Sequence, residues 1–156
     1  MKDFEFHNPV RIFFGKDQLG KIPSQISKED KVLILYGSGS IFRNGVYNQI
    51  KESLIDFEVI EFGGIEPNPC YETAMKAVNL IREEKVDFLL AVGGGSVIDA
   101  TKFIAAAALY DGNDSWDILS KGEKITKSLP LGVVLTLPAT GTEMNKNSVM
   151  TRKSTQ

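Results

Sequence analysis

The chain has 156 residues, enough for one domain that buries about two-thirds of the surface its unfolded form exposes. Hydrophobic residues make up 42% and charged residues 24%, and a formal net charge of −2 argues against the basic footprint of a nucleic-acid or membrane-surface binder. Cys70 is the only cysteine, no apolar run nears the ~20 residues that cross a bilayer, and Met1 to His7 hold no signal-peptide core, so a cytoplasmic protein without an internal disulfide is expected.

Strand-like and helix-like segments alternate along the chain. Val10 to Phe14 predicts a strand ending at Gly15. Val32 to Tyr36 is continuously apolar and predicts a buried strand that opens into Gly37-Ser38-Gly39-Ser40. Phe42, Val46, Ile50 and Leu54 recur at intervals of four and predict an amphipathic helix over residues 41–54. Phe57, Val59 and Ile60 belong to the next strand, which ends near Phe62-Gly63-Gly64. Ala74, Ala77, Val78 and Ile81 then mark the inner face of a second helix. Asp87 to Val92 is the third buried strand. The segment 96–110 is apolar on nearly every side, which predicts a buried helix. A polar connector, 111–127, has one helical turn near Trp116, and Leu131 to Leu137 is the last strand. After Ser148 to Arg152 no closing helix follows, and the chain reads as half of something longer.

Such βαβα alternation with continuously apolar strands implies an α/β fold, a parallel sheet covered on both faces. Right-handed crossovers then bring every strand C-terminus to one edge, where open α/β sheets bind ligands. The segments 37–40, 93–96 and 136–141 all fall there.

Gly93-Gly94-Gly95-Ser96 lies between a buried strand and a buried helix. Glycines let the main chain approach a phosphate, and a helix start offers it free N–H groups and a positive dipole end. A bound nucleotide is the leading reading of this turn. The blander one is a capping box, since Ser96-Val97-Ile98-Asp99 has the S-x-x-D form. Gly37 to Ser40 fails the full dinucleotide fingerprint because Phe42 replaces its third glycine, and on its own it reads as a turn with Ser40 as helix cap. No G-K-[ST] occurs. Glu66-Pro67-Asn68-Pro69 predicts a rigid corner into a helix, with the option of walling a nucleotide. His7 is the only histidine and is read as a surface or strand residue without a catalytic task. Cys70 is read as a small buried thiol near a helix start. Asp99 and Glu143 are the carboxylates nearest the expected site. No catalytic triad and no multi-histidine metal site can be assembled.

Four motifs in order, Phe13-Phe14-Gly15-Lys16, Phe62 to Pro69, Phe88 to Lys102 and Leu135 to Glu143, resemble the N-terminal half of the iron-containing (group III) alcohol dehydrogenases, in particular the NADP-dependent butanol dehydrogenase and aldehyde reductase branch. The resemblance implies a Rossmann-like parallel sheet flanked by helices, the dinucleotide domain of a dehydroquinate-synthase-like fold, spanning residues 1–156, with a separate helical metal domain absent here. It implies hydride exchange between NADP(H) and a small alcohol or aldehyde, without nucleic-acid or membrane partners, and leaves homo-oligomerisation open. By motif, Gly93, Gly94, Gly95 and Ser96 resemble the pyrophosphate turn, and Asp99 matches a residue near the nicotinamide amide. Thr136, Leu137 and Thr140 match the strand and loop beside the ribose and nicotinamide, and Asn68 and Pro69 the adenosine wall. NAD-preferring relatives carry an acidic residue where this chain has Gly37, and the amides and hydroxyls of Gly37, Ser38, Gly39 and Ser40 suit a 2′-phosphate, so NADP is expected. The family's Fe²⁺ or Zn²⁺ ligands, one aspartate and three histidines, lie in its second half and have no counterpart here, so no catalytic or metal residue is assigned and residues 1–156 alone are expected to be inactive. The rival readings are a non-catalytic nucleotide-binding module and a glycerol-dehydrogenase-like or dehydroquinate-synthase-like enzyme.

Overall fold

In the computed structural model, residues 3–5 and 7–155 are described; Met1, Lys2 and Phe6 of the segment read for a leader, and the final Gln156, lie outside the described residues. Four strands, β1 (Val32–Tyr36), β2 (Val59–Phe62), β3 (Phe88–Gly93) and β4 (Leu131–Leu135), form one sheet in the order β2-β1-β3-β4. Every pairing is parallel. Val32 lies opposite Val59 on one side and Phe88 on the other, and Leu89 lies opposite Leu131. The two central strands are buried on both faces, which is why their sequences are continuous rather than alternating.

The helices are α1 (Val46–Ser53), α2 (Tyr71–Glu84), α3 (Gly95–Ala108) and the single turn α4 (Asp117–Ser120). Leu33, Leu35, Leu89 and Ala91 point to one face of the sheet and pack with Ala74, Ala77, Val78, Ile98, Phe103 and Ile104 of α2 and α3. Val32, Ile34, Leu90 and Val92 point to the other and pack with Ile26, Ile41, Ile50 and Leu54. Helix α3 has ten buried residues, as its all-round apolar sequence predicts. Its C-terminal carbonyls are satisfied from outside: Arg82 of α2 donates to Ala107 O at 2.9 Å and to Ala108 O at 3.1 Å.

Three expectations need correction. Residues 10–14 form no strand. Val10, Ile12, Phe13 and Phe14 are 44, 63, 40 and 96% exposed, and neither edge strand of the sheet pairs with them among the described residues. The helix expected over 41–54 is broken. Ser40–Phe42 is one 3₁₀ turn, and Gly45, at φ 77°, starts α1 only at Val46. Left-handed backbone at Gly45 interrupts the ladder while the spacing of apolar residues runs on across the break. Phe42 therefore sits outside the helix, edge-on to Tyr36 at 5.3 Å and against Tyr47 at 4.6 Å. The last strand ends at Leu135, two residues early, and Leu137 is 65% exposed. A 3₁₀ segment at Gln18–Gln25, which the periodicity does not announce, covers the α1 face.

Candidate functional site

All four strands end on one edge, because all are parallel. There the turns interlock. Gly64 N–H donates to Gly37 O at 3.0 Å, Ile65 N–H to Tyr36 O at 3.2 Å, and Thr136 N–H to Gly93 O at 3.0 Å. The loops after β1, β2, β3 and β4 thus form one surface.

Its centre is the turn from β3 into α3, where the three glycines have different reasons to be glycine. A Cβ on Gly93 would lie 2.7 Å from Val97 Cγ2, so this position belongs to packing. A Cβ on Gly95 would lie 3.1 Å from Thr140 Oγ1. A Cβ on Gly94 would meet nothing closer than Leu137 Cβ at 3.5 Å, an ordinary contact. The protein's own packing therefore leaves room for a Cβ at 94. Gly94 precedes α3 with no side chain capping the helix, and Val97 and Ile98 both donate back to Gly94 O, at 3.1 and 3.2 Å. The N–H groups of Gly95 and Ser96 have no partner among the described residues, and they carry the positive end of a 14-residue helix.

The capping box does not form. Ser96 lies inside α3, and its hydroxyl accepts from Asn68 N–H at 3.4 Å across the site. Asn68 holds φ 58°, a left-handed conformation that asparagine tolerates, and is exposed. Pro69 beside it is buried, and its carbonyl accepts from Thr151 N–H at 2.9 Å. Ser40 does not cap α1; it opens the preceding 3₁₀ turn. Ser38 and Ser40 are exposed, Gly39 has φ 96°, and a Cβ on Gly37 would lie 3.3 Å from Ile65 O. Glycine at 37 is therefore favoured by packing. Thr136, Leu137 and Thr140 border the glycine turn from β4.

The Asp99 side chain is bonded to the loop after β4. One carboxylate oxygen accepts from the Thr142 hydroxyl and pairs with Lys102 Nζ at 3.4 Å; the other accepts from Val149 N–H at 3.1 Å. Lys102 also donates to Thr142 O at 2.9 Å and Asn145 Oδ1 at 3.2 Å. Burial pushes its ammonium below the usual lysine range, against the opposing pull of Asp99. Among the residue types the sequence does point to, Cys70 is buried and stands at the start of α2, and His7 is exposed.

A second cluster escapes sequence reading. Arg152 Nη1 pairs with Asp114 Oδ2 at 2.7 Å and lies over the rings of Tyr71 and Trp116, while Tyr71 OH donates to Asp114 Oδ1 at 2.8 Å. Trp116 N–H, then the Tyr71 hydroxyl and Arg152, hold the Asp114 carboxyl below its usual range. A carboxylate with a lowered folded value stabilises above its unfolded value of about 3.9 and loses that contribution as pH falls through the folded one. Asp114→Asn is therefore expected to lower Tm at neutral pH, with the gap to the wild type closing as the pH drops below about 4. A gap constant from neutral to acid pH would refute the assignment.

Residues 9–156 match the model of the iron-containing alcohol dehydrogenases. The chain is 56% identical over 157 aligned residues to the NADPH-dependent aldehyde reductase YqhD of Escherichia coli, covering 99% of this chain and 41% of that protein. It is 48% identical to the probable NADH-dependent butanol dehydrogenase 1 of Bacillus subtilis, over 100% of this chain and 41% of that one. The crystal structure of YqhD superposes with a TM-score of 0.94 at 55% identity, covering 98% of this chain and 40% of that chain. That of NADH-dependent butanol dehydrogenase A from Thermotoga maritima also gives 0.94, at 47% identity, covering 99% of this chain and 40% of that chain. The chain belongs to the iron-containing alcohol dehydrogenase family, and it spans about two-fifths of the length of the relatives it matches. Among the described residues no group of three or more His, Cys, Asp or Glu is placed to hold a metal ion, so they do not fit the iron of the family name.

Proposed function

We propose that residues 1–156 are the dinucleotide-binding domain of an NADP(H)-dependent oxidoreductase that interconverts small alcohols and aldehydes in the cytoplasm. The reading rests above all on Gly94, a glycine where the protein leaves space for a Cβ, set before the uncapped N-terminus of α3. The pyrophosphate lies against Gly93, Gly94 and Gly95, with the N–H groups of Gly95 and Ser96 as donors. Asn68 and Pro69 wall the adenosine, and Asp99, Thr136, Leu137 and Thr140 border the nicotinamide end. The 2′-phosphate is received by Gly37, Ser38, Gly39 and Ser40. The bound nicotinamide supplies the hydride, and these residues bind and orient it. The family's Fe²⁺ or Zn²⁺ is assigned to residues other than these, so residues 1–156 alone hold cofactor without turnover.

NADP over NAD is the finer part of the proposal, because the similar proteins include both kinds by name. No carboxylate stands in the 37–40 turn to repel a 2′-phosphate. Fluorescence titration of residues 1–156 tests this, with NADPH expected to bind more tightly than NADH. An acid is best introduced as Ser38→Asp, since a side chain at Gly37 meets Ile65 O. At an exposed position this is expected to erode the preference by roughly fivefold, about 1 kcal/mol. Tighter binding of NADH by tenfold in the unaltered chain would overturn the NADP assignment.

A further inference from the structure

We infer that Lys102 is a positioning residue for the nicotinamide end of the site, acting by fastening the loop 141–149 to Asp99. The inference rests on the dinucleotide reading above. Lys102 lies one turn along α3 from Asp99, and both side chains are largely buried, at 13 and 15% exposure. An ammonium has three N–H donors and no acceptor. Here they go to Thr142 and Asn145 on the loop, while the ammonium pairs with Asp99 on the helix at 3.4 Å. Thr142 is itself 4% exposed and donates its hydroxyl to Asp99. The far end of the loop is fastened to the same residue, since Ser148 Oγ donates to Asp99 O at 2.7 Å and Val149 N–H to the carboxylate.

The acceptor count at Asp99 gives this network a direction. An ionised carboxylate has about four lone-pair sites. Thr142 occupies one site of one oxygen, which also pairs with Lys102 Nζ at 3.4 Å, and Val149 occupies one site of the other. The oxygen that accepts from Val149 keeps a free acceptor direction, which suits a single amide N–H of a carboxamide. By pairing with the oxygen that accepts from Thr142, Lys102 fixes the orientation of the carboxylate and so which lone pair is left for the ligand.

The test compares two ligands that share everything except the nicotinamide end. NADPH and 2′-phospho-ADP-ribose are titrated against residues 1–156 by calorimetry, for the unaltered chain and for Lys102→Met. The methionine keeps the length of the stem and removes the charge and donors. NADPH is expected to bind at least tenfold more weakly to the variant, while 2′-phospho-ADP-ribose stays within twofold. Equal loss of both ligands would make the cluster merely structural and overturn the inference, as would no loss of either. If the unaltered chain binds neither ligand, the dinucleotide reading itself fails. Should Lys102→Met not fold, Thr142→Val, which removes one hydroxyl from the network, is read by the same fork.

Discussion

Gly94→Val is expected to weaken NADPH binding by at least about a hundredfold, near 2.7 kcal/mol at about 1.4 kcal/mol per decade, while leaving the fold intact. The backbone at Gly94, φ −94° and ψ −167°, is extended and open to valine. A Cβ there meets only Leu137 at 3.5 Å. The β-carbon meets no clash inside the protein, so a loss of binding in a variant that keeps its Tm reports on what docks there. Gly93→Ala is the contrasting variant, because its Cβ would lie 2.7 Å from Val97 Cγ2 and 2.9 Å from Val97 Cβ. It spoils stability first. Unchanged NADPH affinity in a folded Gly94→Val protein would remove the pyrophosphate from this turn.

Phe103→Ala is expected to destabilise by about 3–5 kcal/mol, the cost of emptying a large buried aromatic site. Phe103 is 2% exposed and meets the Tyr71 ring edge-on at 5.8 Å, between α3 and α2. In a domain of this size, with about 2–4 °C lost per kcal/mol, Tm should fall by roughly 10 °C. Calorimetry or thermal circular dichroism checks this. A fall of under about 3 °C would mean that α2 and α3 close up around the cavity and that the core is less tightly defined than its burial implies.

How far the sequence discloses this molecule depends on the range over which each part is determined. Strands β1 and β3 and helices α2 and α3 are legible because burial on both faces, or on one stripe, is written into consecutive residues. The site edge follows from parallel topology, which puts Gly37, Gly94 and Thr136 on one surface from the sequence alone. Val10 to Phe14 has the composition of a strand, yet a strand exists only where a neighbour accepts its hydrogen bonds, and composition cannot supply the neighbour. The capping box fails for a related reason. Ser96 and Asp99 have the right spacing, but each finds a partner far along the chain, at Asn68 and at Thr142 and Val149. Asp99 and Lys102, three apart on a helix, were the one local hint of the clamp. Nothing local signals that Arg152 reaches Asp114.

Residues 151–153 are stitched to the start of α2. Thr151 and Cys70 form a parallel bridge, Tyr71 N–H donates to Thr151 O at 2.8 Å, and Lys153 N–H reaches Glu72 Oε1 at 3.0 Å. Some eighty residues separate these partners, a long loop to close and therefore a late event in folding. During synthesis the ribosome releases Pro69 and Asn68 well before the stretch that anchors them. The corner proposed for the adenosine is thus expected to set late, after the sheet that carries it.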